Sequence, residues 1–318
     1  MEYVLLIIGF VLVLKGADWL VNGASSLAKR LNVSDLVIGL TVVAFGTSAP
    51  ELAINIFASA NDNTELAIGN VLGSNLFNIL IILGVSSIIA PMTVHSNTIF
   101  KEIPFSLLAA LVLGFIANDI FIDNQVSSVI SRSDGLVLLS FFAIFTYYSL
   151  IIAKQSTSDD VGIINEVPMW KAVGFTALGL VALVGGGKLL VDSAVDIARF
   201  WGVSESVIGL TILAMGSSLP ELATSVVGAR KGMSDIVIGN VVGSNIFNIF
   251  LVLGVSATIK PLPVNPSSNI DELMVVLMTV ILFFFIYNHK ENQVTRVHGI
   301  IFVSIYAVYL TYLLVFKA

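Results

Sequence analysis

Cysteine is absent from the 318 residues, which excludes disulfides, thiolate metal sites and a cysteine nucleophile, and leaves the redox compartment open. Charge is scarce as well. Asp, Glu, Lys and Arg make up 11% of the chain, against roughly 25% in an average soluble domain. There is no basic patch with interleaved aromatics, so nucleic acid is not expected as a partner. A Gly-x-x-x-x-Gly-Lys-Ser/Thr phosphate loop is missing, so the driving force for any transport should be an ion gradient. His-Glu-x-x-His and Gly-x-Ser-x-Gly elements are missing too, which argues against a hydrolase. The chain is therefore read as no enzyme, with no cofactor and no evident protein partner. Met1-Glu2-Tyr3, ahead of an apolar run, lacks the basic segment and small-residue cleavage site of a secretory signal and reads as an uncleaved first helix.

What is abundant is apolar surface. Hydrophobic residues are 57% of the chain and its mean hydropathy is +0.98, the composition of a protein that crosses a bilayer repeatedly. A spanning helix needs about 20 mostly apolar residues. Ten such stretches occur, at 3–28, 34–60, 66–90, 104–122, 134–152, 170–198, 204–229, 235–259, 271–288 and 298–316. The expected fold is an all-α polytopic membrane protein of ten transmembrane helices arranged as two inverted-topology repeats of five. Residues 1–153 form the first repeat, 154–168 a short cytoplasmic linker and 169–318 the second. Five spans per repeat force the second to enter the membrane in the opposite sense. With the N-terminus outside, the inner loops hold nine Lys and Arg and the outer loops and C-terminus four, so both termini are expected outside.

The chain repeats itself. Gly46-Thr47-Ser48-Ala49-Pro50-Glu51 returns as Gly216-Ser217-Ser218-Leu219-Pro220-Glu221, and the alignment runs without a gap from Val33/Val203 to Val94/Val264 at a constant offset of 170. Each glutamate falls near the middle of a span, where a bare carboxylate costs at least about 2.5 kcal/mol and faces a partner or an aqueous cavity. Each follows a proline, which has no N–H to give the carbonyl four residues earlier and so loosens the helix. Thr47, Ser48, Ser217 and Ser218 add hydroxyls at the same level. A second motif repeats as Gly69-Asn70-Val71-Leu72-Gly73-Ser74-Asn75-Leu76-Phe77-Asn78 and Gly239-Asn240-Val241-Val242-Gly243-Ser244-Asn245-Ile246-Phe247-Asn248. Ser74 and Asn78, like Ser244 and Asn248, are four apart and share a helix face, while the glycines admit a close neighbour. Asn75 and Asn245 fall on a neighbouring face and read as packing or hydrogen-bonding residues. Two carboxylates with hydroxyl, amide and backbone oxygens, and no nitrogen or sulfur ligand, suit hard cations such as Ca²⁺ and Na⁺.

The paired motifs resemble the alpha repeats of the cation/calcium exchanger superfamily, in particular its prokaryotic sodium/calcium exchanger branch, and the resemblance covers the whole chain. It implies an antiporter of a prokaryotic plasma membrane, in which Ca²⁺ and Na⁺ compete for Glu51 and Glu221 by alternating access. It further implies main-chain ligands around Thr47 and Ser217 and at Ala44 and Ala214, and side-chain ligands at Ser48, Ser218, Ser74, Ser244 and Asn78. Asn248 stands where such exchangers usually carry aspartate, so the site holds two carboxylates, enough to balance one Ca²⁺ or two Na⁺. Proton/Ca²⁺ exchange through the same glutamates is the alternative, and a passive cation channel a further one. The resemblance also implies that the long first and sixth helices slide across the core.

Outside these motifs, Lys15 with Asp18 and Lys188 with Asp192 are spaced to pair along their own helices. His95, His289 and His298 belong to loops or span ends and read as solvated surface.

Overall fold

The computed structural model describes residues 2–61, 64–96, 98–122, 124–155, 167–203, 208, 212 and 214–316. The chain is mostly helical, as a bilayer requires of any segment that must satisfy its backbone internally. Among the described residues eight helices are long and apolar enough to cross a membrane: α1 (Glu2–Leu31), α4 (Leu66–Ile89), α5 (Thr98–Ile116), α6 (Arg132–Ala153), α7 (Met169–Phe200), α10 (Ser234–Ile259), α11 (Ser268–Tyr287) and α12 (Arg296–Leu313). A ninth candidate is a pair, α2 (Asp35–Thr47) and α3 (Ala49–Ala60), bent by 43° at Ser48. Of the expected span 204–229, residues 204–207, 209–211 and 213 lie outside the described residues, and its remainder forms α8 (Ala214–Gly216) and α9 (Leu219–Arg230). Residues 156–166 of the expected linker also lie outside them.

The two halves repeat one another in backbone detail. Ser48 interrupts its helix at φ −81°, ψ 5°, and Ser218 does so at φ −88°, ψ 9°, each two residues before a proline. A left-handed residue closes both long helices, Asn32 at φ 56° after α1 and Gly202 at φ 77° after α7. The next amide in each case bonds back, Val33 N–H to the Ala28 carbonyl and Val203 N–H to that of Ala198, both at 3.0 Å. Four two-residue strands exchange between halves: β1 (Met92–Thr93) pairs antiparallel with β4 (Gln293–Val294), and β2 (Val129–Ile130) with β3 (Leu262–Pro263). One further bond extends each ladder, Val94 N–H to Asn292 O at 2.8 Å and Val264 N–H to Ser128 O at 2.9 Å.

Burial separates the core from its surround. The apolar windows of α10 and α4 are 94% and 72% buried, against 39% or less for the other six single helices, so the second motif of each half runs through the centre. Around them α1 and α7 pack antiparallel. Gly9, Gly16 and Gly23 of α1 face Gly186, Gly179 and Ala172 of α7 in reverse order. Lipid supplies no hydrophobic drive for such a pair, and backbone contact takes its place. Gly239 and Gly243 of α10 likewise admit Leu36, Leu40 and Ala44 of α2. Their counterparts Gly69 and Gly73 have no described atom within 4 Å of a Cβ placed there, the matching stretch of the second half lying outside the described residues.

Three expectations about charged groups are corrected. Asp18 bonds not to Lys15 but to Lys231, beyond α9, at 2.6 Å, and Lys231 also donates to Asn22 Oδ1 at 2.7 Å. Lys188 and Asp192 are both exposed and make no ion pair with each other. Of the histidines, His95 is exposed as expected, with Nε2 3.2 Å from Asp235 Oδ2, whereas His298 is half-buried and stacks on Phe285 with ring centroids 4.4 Å apart. Each replacement partner is distant in the chain, where helical spacing carries no information.

A Cβ at Gly16 would sit 2.8 Å from the backbone nitrogen of Leu183 and 2.9 Å from Gly179 O, so neither neighbour can yield without parting the helices. Gly16→Leu is expected to destabilise the fold by about 1–3 kcal/mol or more, lowering the thermal midpoint in detergent. Gly185→Leu, where nothing lies within 4 Å, is expected to leave the midpoint unchanged. Equal midpoints for the two variants would show that α1 and α7 are not held by this contact.

Candidate functional site

Two helix breaks meet two central helices. Pro50 and Pro220 occupy the second positions of α3 and α9, so Glu51 and Glu221 lie in first turns, where the helix dipole favours a negative charge. Both side chains are 1% exposed. The hydrogen bonds cross between the halves. Ser48 Oγ donates to Glu221 Oε1 at 3.2 Å, and Ser218 Oγ lies 3.3 Å from Glu51 Oε1 and 3.2 Å from Ser74 Oγ. The Thr47 hydroxyl lies beside Glu221 and that of Ser217 beside Glu51. Thr47 Oγ1 donates to Asn240 Oδ1 at 3.1 Å, and Asn240 donates in turn to the Glu221 carbonyl at 3.4 Å and to Ser225 at 3.1 Å.

The second motif supplies amides. The regular α-helix changes to π-helical winding at Asn78 in α4 and at Asn248 in α10, over Asn78–Leu83 and Asn248–Leu253. Such single-turn changes are frequent at functional sites. Asn78 Nδ2 donates to Asn245 Oδ1 at 2.9 Å, and Asn248 Nδ2 to Asn75 Oδ1 at 3.1 Å. Ser74, Asn78, Ser244 and Asn248 are each 1% exposed or less. Ala44 is fully buried, and its carbonyl accepts from Ser48 N at 3.0 Å and Thr47 Oγ1 at 3.3 Å; Ala214 opens α8.

Hydrogen bonds thus form two groups across the halves, Ser48 with Glu221 and Ser218 with Glu51 and Ser74. Thr47 reaches Glu221 through Asn240, and Asn78 and Asn248 join the neighbouring amide pairs. Ser217 and Ser244 make no hydrogen bond through their hydroxyls. Spacing alone pointed away from Asn75 and Asn245. Asn240 and Asn70 were also overlooked; Asn70 donates to Asn55 at 2.8 Å one turn below Glu51. The repetition of the motif asparagines at a constant offset was the signal that could have found these residues.

Charge and oxygen are out of balance here. Neither carboxylate has a basic partner among the described residues. Among the described residues, six buried oxygens on the expected residues find no hydrogen-bond partner: Glu51 Oε2, Glu221 Oε2, Asn78 Oδ1, Asn248 Oδ1, Ser217 Oγ and Ser244 Oγ. Buried polar atoms are ordinarily satisfied, and two buried carboxylates without counter-charge are costly. A cluster of carboxylate, amide and hydroxyl oxygens with that deficit has the chemistry of a hard-cation site.

Known proteins are similar to this chain in sequence and fold. The family model described as sodium/calcium exchanger protein matches the chain twice, over residues 1–151 and 171–315. Inner membrane protein YrbG of Escherichia coli K12 is 36% identical over 97% of this chain and 95% of its own length. Sodium/calcium exchanger MaX1 of Methanosarcina acetivorans is 34% identical over 98% of both chains. The solved structure of the sodium-calcium exchanger NCX_Mj soaked with Na⁺ and Sr²⁺ superposes with a TM-score of 0.84 at 33% identity, covering 98% of this chain and 97% of that one. Likeness of this extent, in both halves and over nearly the full length, makes the chain a member of the sodium/calcium exchanger protein family.

Proposed function

We propose that this chain is a secondary antiporter that exchanges Ca²⁺ for Na⁺ by alternating access, both ions using oxygens of Glu51, Glu221, Ala44, Thr47, Ser48, Ser74, Asn78, Ala214, Ser217, Ser218, Ser244 and Asn248. The observation that carries it is the set of six unpartnered buried oxygens around two carboxylates from opposite halves. A divalent ion, or two monovalent ones, would neutralise both charges and fill those positions. An unloaded site keeps two buried charges uncompensated, which makes its transit expensive and ties the exit of one ion to the entry of the other.

The architecture proposed with it is ten spans in two inverted repeats, residues 1–153 and 169–318, joined by the linker 154–168. The antiparallel α1–α7 pair supports inversion. Parity supports the tenth span. β1 and β4 can pair only on one side of the membrane, so an even number of crossings separates them, and the same holds for β2 and β3. Between β1 and β4 lie α5, α6, α7, α10 and α11, which makes five; a crossing within 204–230, as proposed, would make the number even.

Proton/Ca²⁺ exchange is the second reading, because two protons would satisfy both Oε2 atoms. Two protons would add only two O–H donors, enough for two of the Asn78, Asn248, Ser217 and Ser244 oxygens, whereas Na⁺ could use all four. The relative named as a sodium/calcium exchanger supports the same choice.

Proteoliposomes loaded with Na⁺ and given an outward Na⁺ gradient are expected to take up ⁴⁵Ca²⁺. Glu51→Gln and Glu221→Gln are each expected to reduce uptake at least about 100-fold, the upper end of the loss seen when a partner that merely orients a ligand is removed. Uptake that follows a pH gradient and ignores Na⁺ would replace this reading with proton coupling.

Both termini are proposed to lie outside a prokaryotic plasma membrane, on the nine-to-four distribution of Lys and Arg. A chain without cysteine makes this directly measurable. Ser133→Cys, exposed in the first turn of α6, is expected to react with an impermeant maleimide on intact cells, and Glu291→Cys, exposed before α12, only after permeabilisation. The reverse pattern would invert the assigned orientation.

A further inference from the structure

Asn75 and Asn245 are buried to 0% and 2% exposure, one residue beyond the motif serines. Each meets the asparagine of the opposite half. Asn245 Oδ1 accepts from Asn78 Nδ2 at 2.9 Å, and Asn75 Oδ1 accepts from Asn248 Nδ2 at 3.1 Å. Asn75 is itself oriented, since its Nδ2 donates to the Asn245 main-chain carbonyl at 3.3 Å. A carboxamide carries its oxygen and its nitrogen on opposite edges, so a partner that holds the nitrogen decides where the oxygen points. The oxygens so directed, Asn78 Oδ1 and Asn248 Oδ1, are two of the six buried oxygens without a hydrogen bond.

We propose that Asn75 and Asn245 are the positioning residues of the site, each holding the amide nitrogen of the other half's asparagine so that Asn248 Oδ1 and Asn78 Oδ1 face the cation. The proposal rests on the cation-site reading above. Turned by 180°, Asn78 would bring its oxygen against Asn245 Oδ1 and offer N–H groups to the ion, two unfavourable contacts at once. Because both bonds run between halves, the aim of each ligand depends on the position of the helix opposite. A cation bound by both amides therefore holds α4 and α10 in one register.

The test is Ca²⁺ affinity of the purified full chain by calorimetry, read through a mutant cycle. N245A is expected to weaken Ca²⁺ binding about tenfold, the lower end of the loss that follows removal of a ligand's orienting partner. N78A is expected to weaken it at least as much, and N78A/N245A no further than N78A alone, because Asn245 then has nothing to aim. N245D keeps an acceptor oxygen in place and is expected to bind no weaker than about threefold below the unaltered chain. Unchanged affinity in N245A or in N78A, an N245A penalty that persists in the N78A background, or a loss in N245D equal to that in N245A overturns the proposal. Should N245A not yield monodisperse protein, N75A with N248A repeats the cycle in the other half. E51Q keeps the two readings apart: Ca²⁺ binding lost in E51Q but intact in N245A rejects the positioning role alone, whereas binding intact in E51Q rejects the cation site.

Discussion

Everything in this molecule is arranged around two carboxylates that each depend on a hydroxyl from the opposite half. Ser48 serves Glu221 and Ser218 serves Glu51, so neither half can complete its own anionic group. The crossing requires both helix breaks at one depth, which the Ser-x-Pro-Glu order provides by ending one helical segment and starting the next two residues before the acid. It also requires a dry surround, because in a solvated cleft two carboxylates would be screened and would exert little pull on an ion. The central position of α4 and α10 provides that surround.

Two kinds of contact hold this centre, and they differ in what they permit. The core is joined by directional bonds between side chains of opposite halves, Asn78 to Asn245 and Asn248 to Asn75. Directional bonds of that kind specify register. The α1–α7 pair instead meets through glycine faces with backbone against backbone. Such an interface has few interlocking side chains to resist translation along the helix axis. The Asp18–Lys231–Asn22 bonds are a directional tie between α1 and the end of α9, and Arg30 Nε donates to the Val167 carbonyl just before α7 at 3.1 Å.

The sequence disclosed the centre better than its connections. Composition located eight single spans and the bent pair, and constant offset exposed the duplication, because an apolar helix and a repeated Pro-Glu step are both local patterns. Glu51, Glu221, Ser48, Ser218 and Ser74 come together as the motif order suggested. Asn75 and Asn245 escaped because spacing tells which residues share a face and not what that face meets 170 positions away. The same limit hid the partners of Asp18 and His95, Lys231 and Asp235, which lie far along the chain. The strand exchange was illegible for another reason: two residues per strand leave no alternation to read.

Residue 248 links the amide network to the charge of the site. Asn248 has a hydrogen to give Asn75 Oδ1, and an ionised aspartate there would not, so the acceptor edge of Asn75 would face a second acceptor. The network and the neutral amide therefore belong together, and the site is held at two negative charges. In the proposed exchange one Ca²⁺ or two Na⁺ would cancel them; a third monovalent ion would enter a low-dielectric centre as uncompensated charge, at a Coulombic cost that grows as water is excluded. On the proposed reading, the crossed asparagines would limit the load as well as shape the shell, because the oxygens they direct inward are dipoles, which add coordination without adding a charge for an extra ion to neutralise.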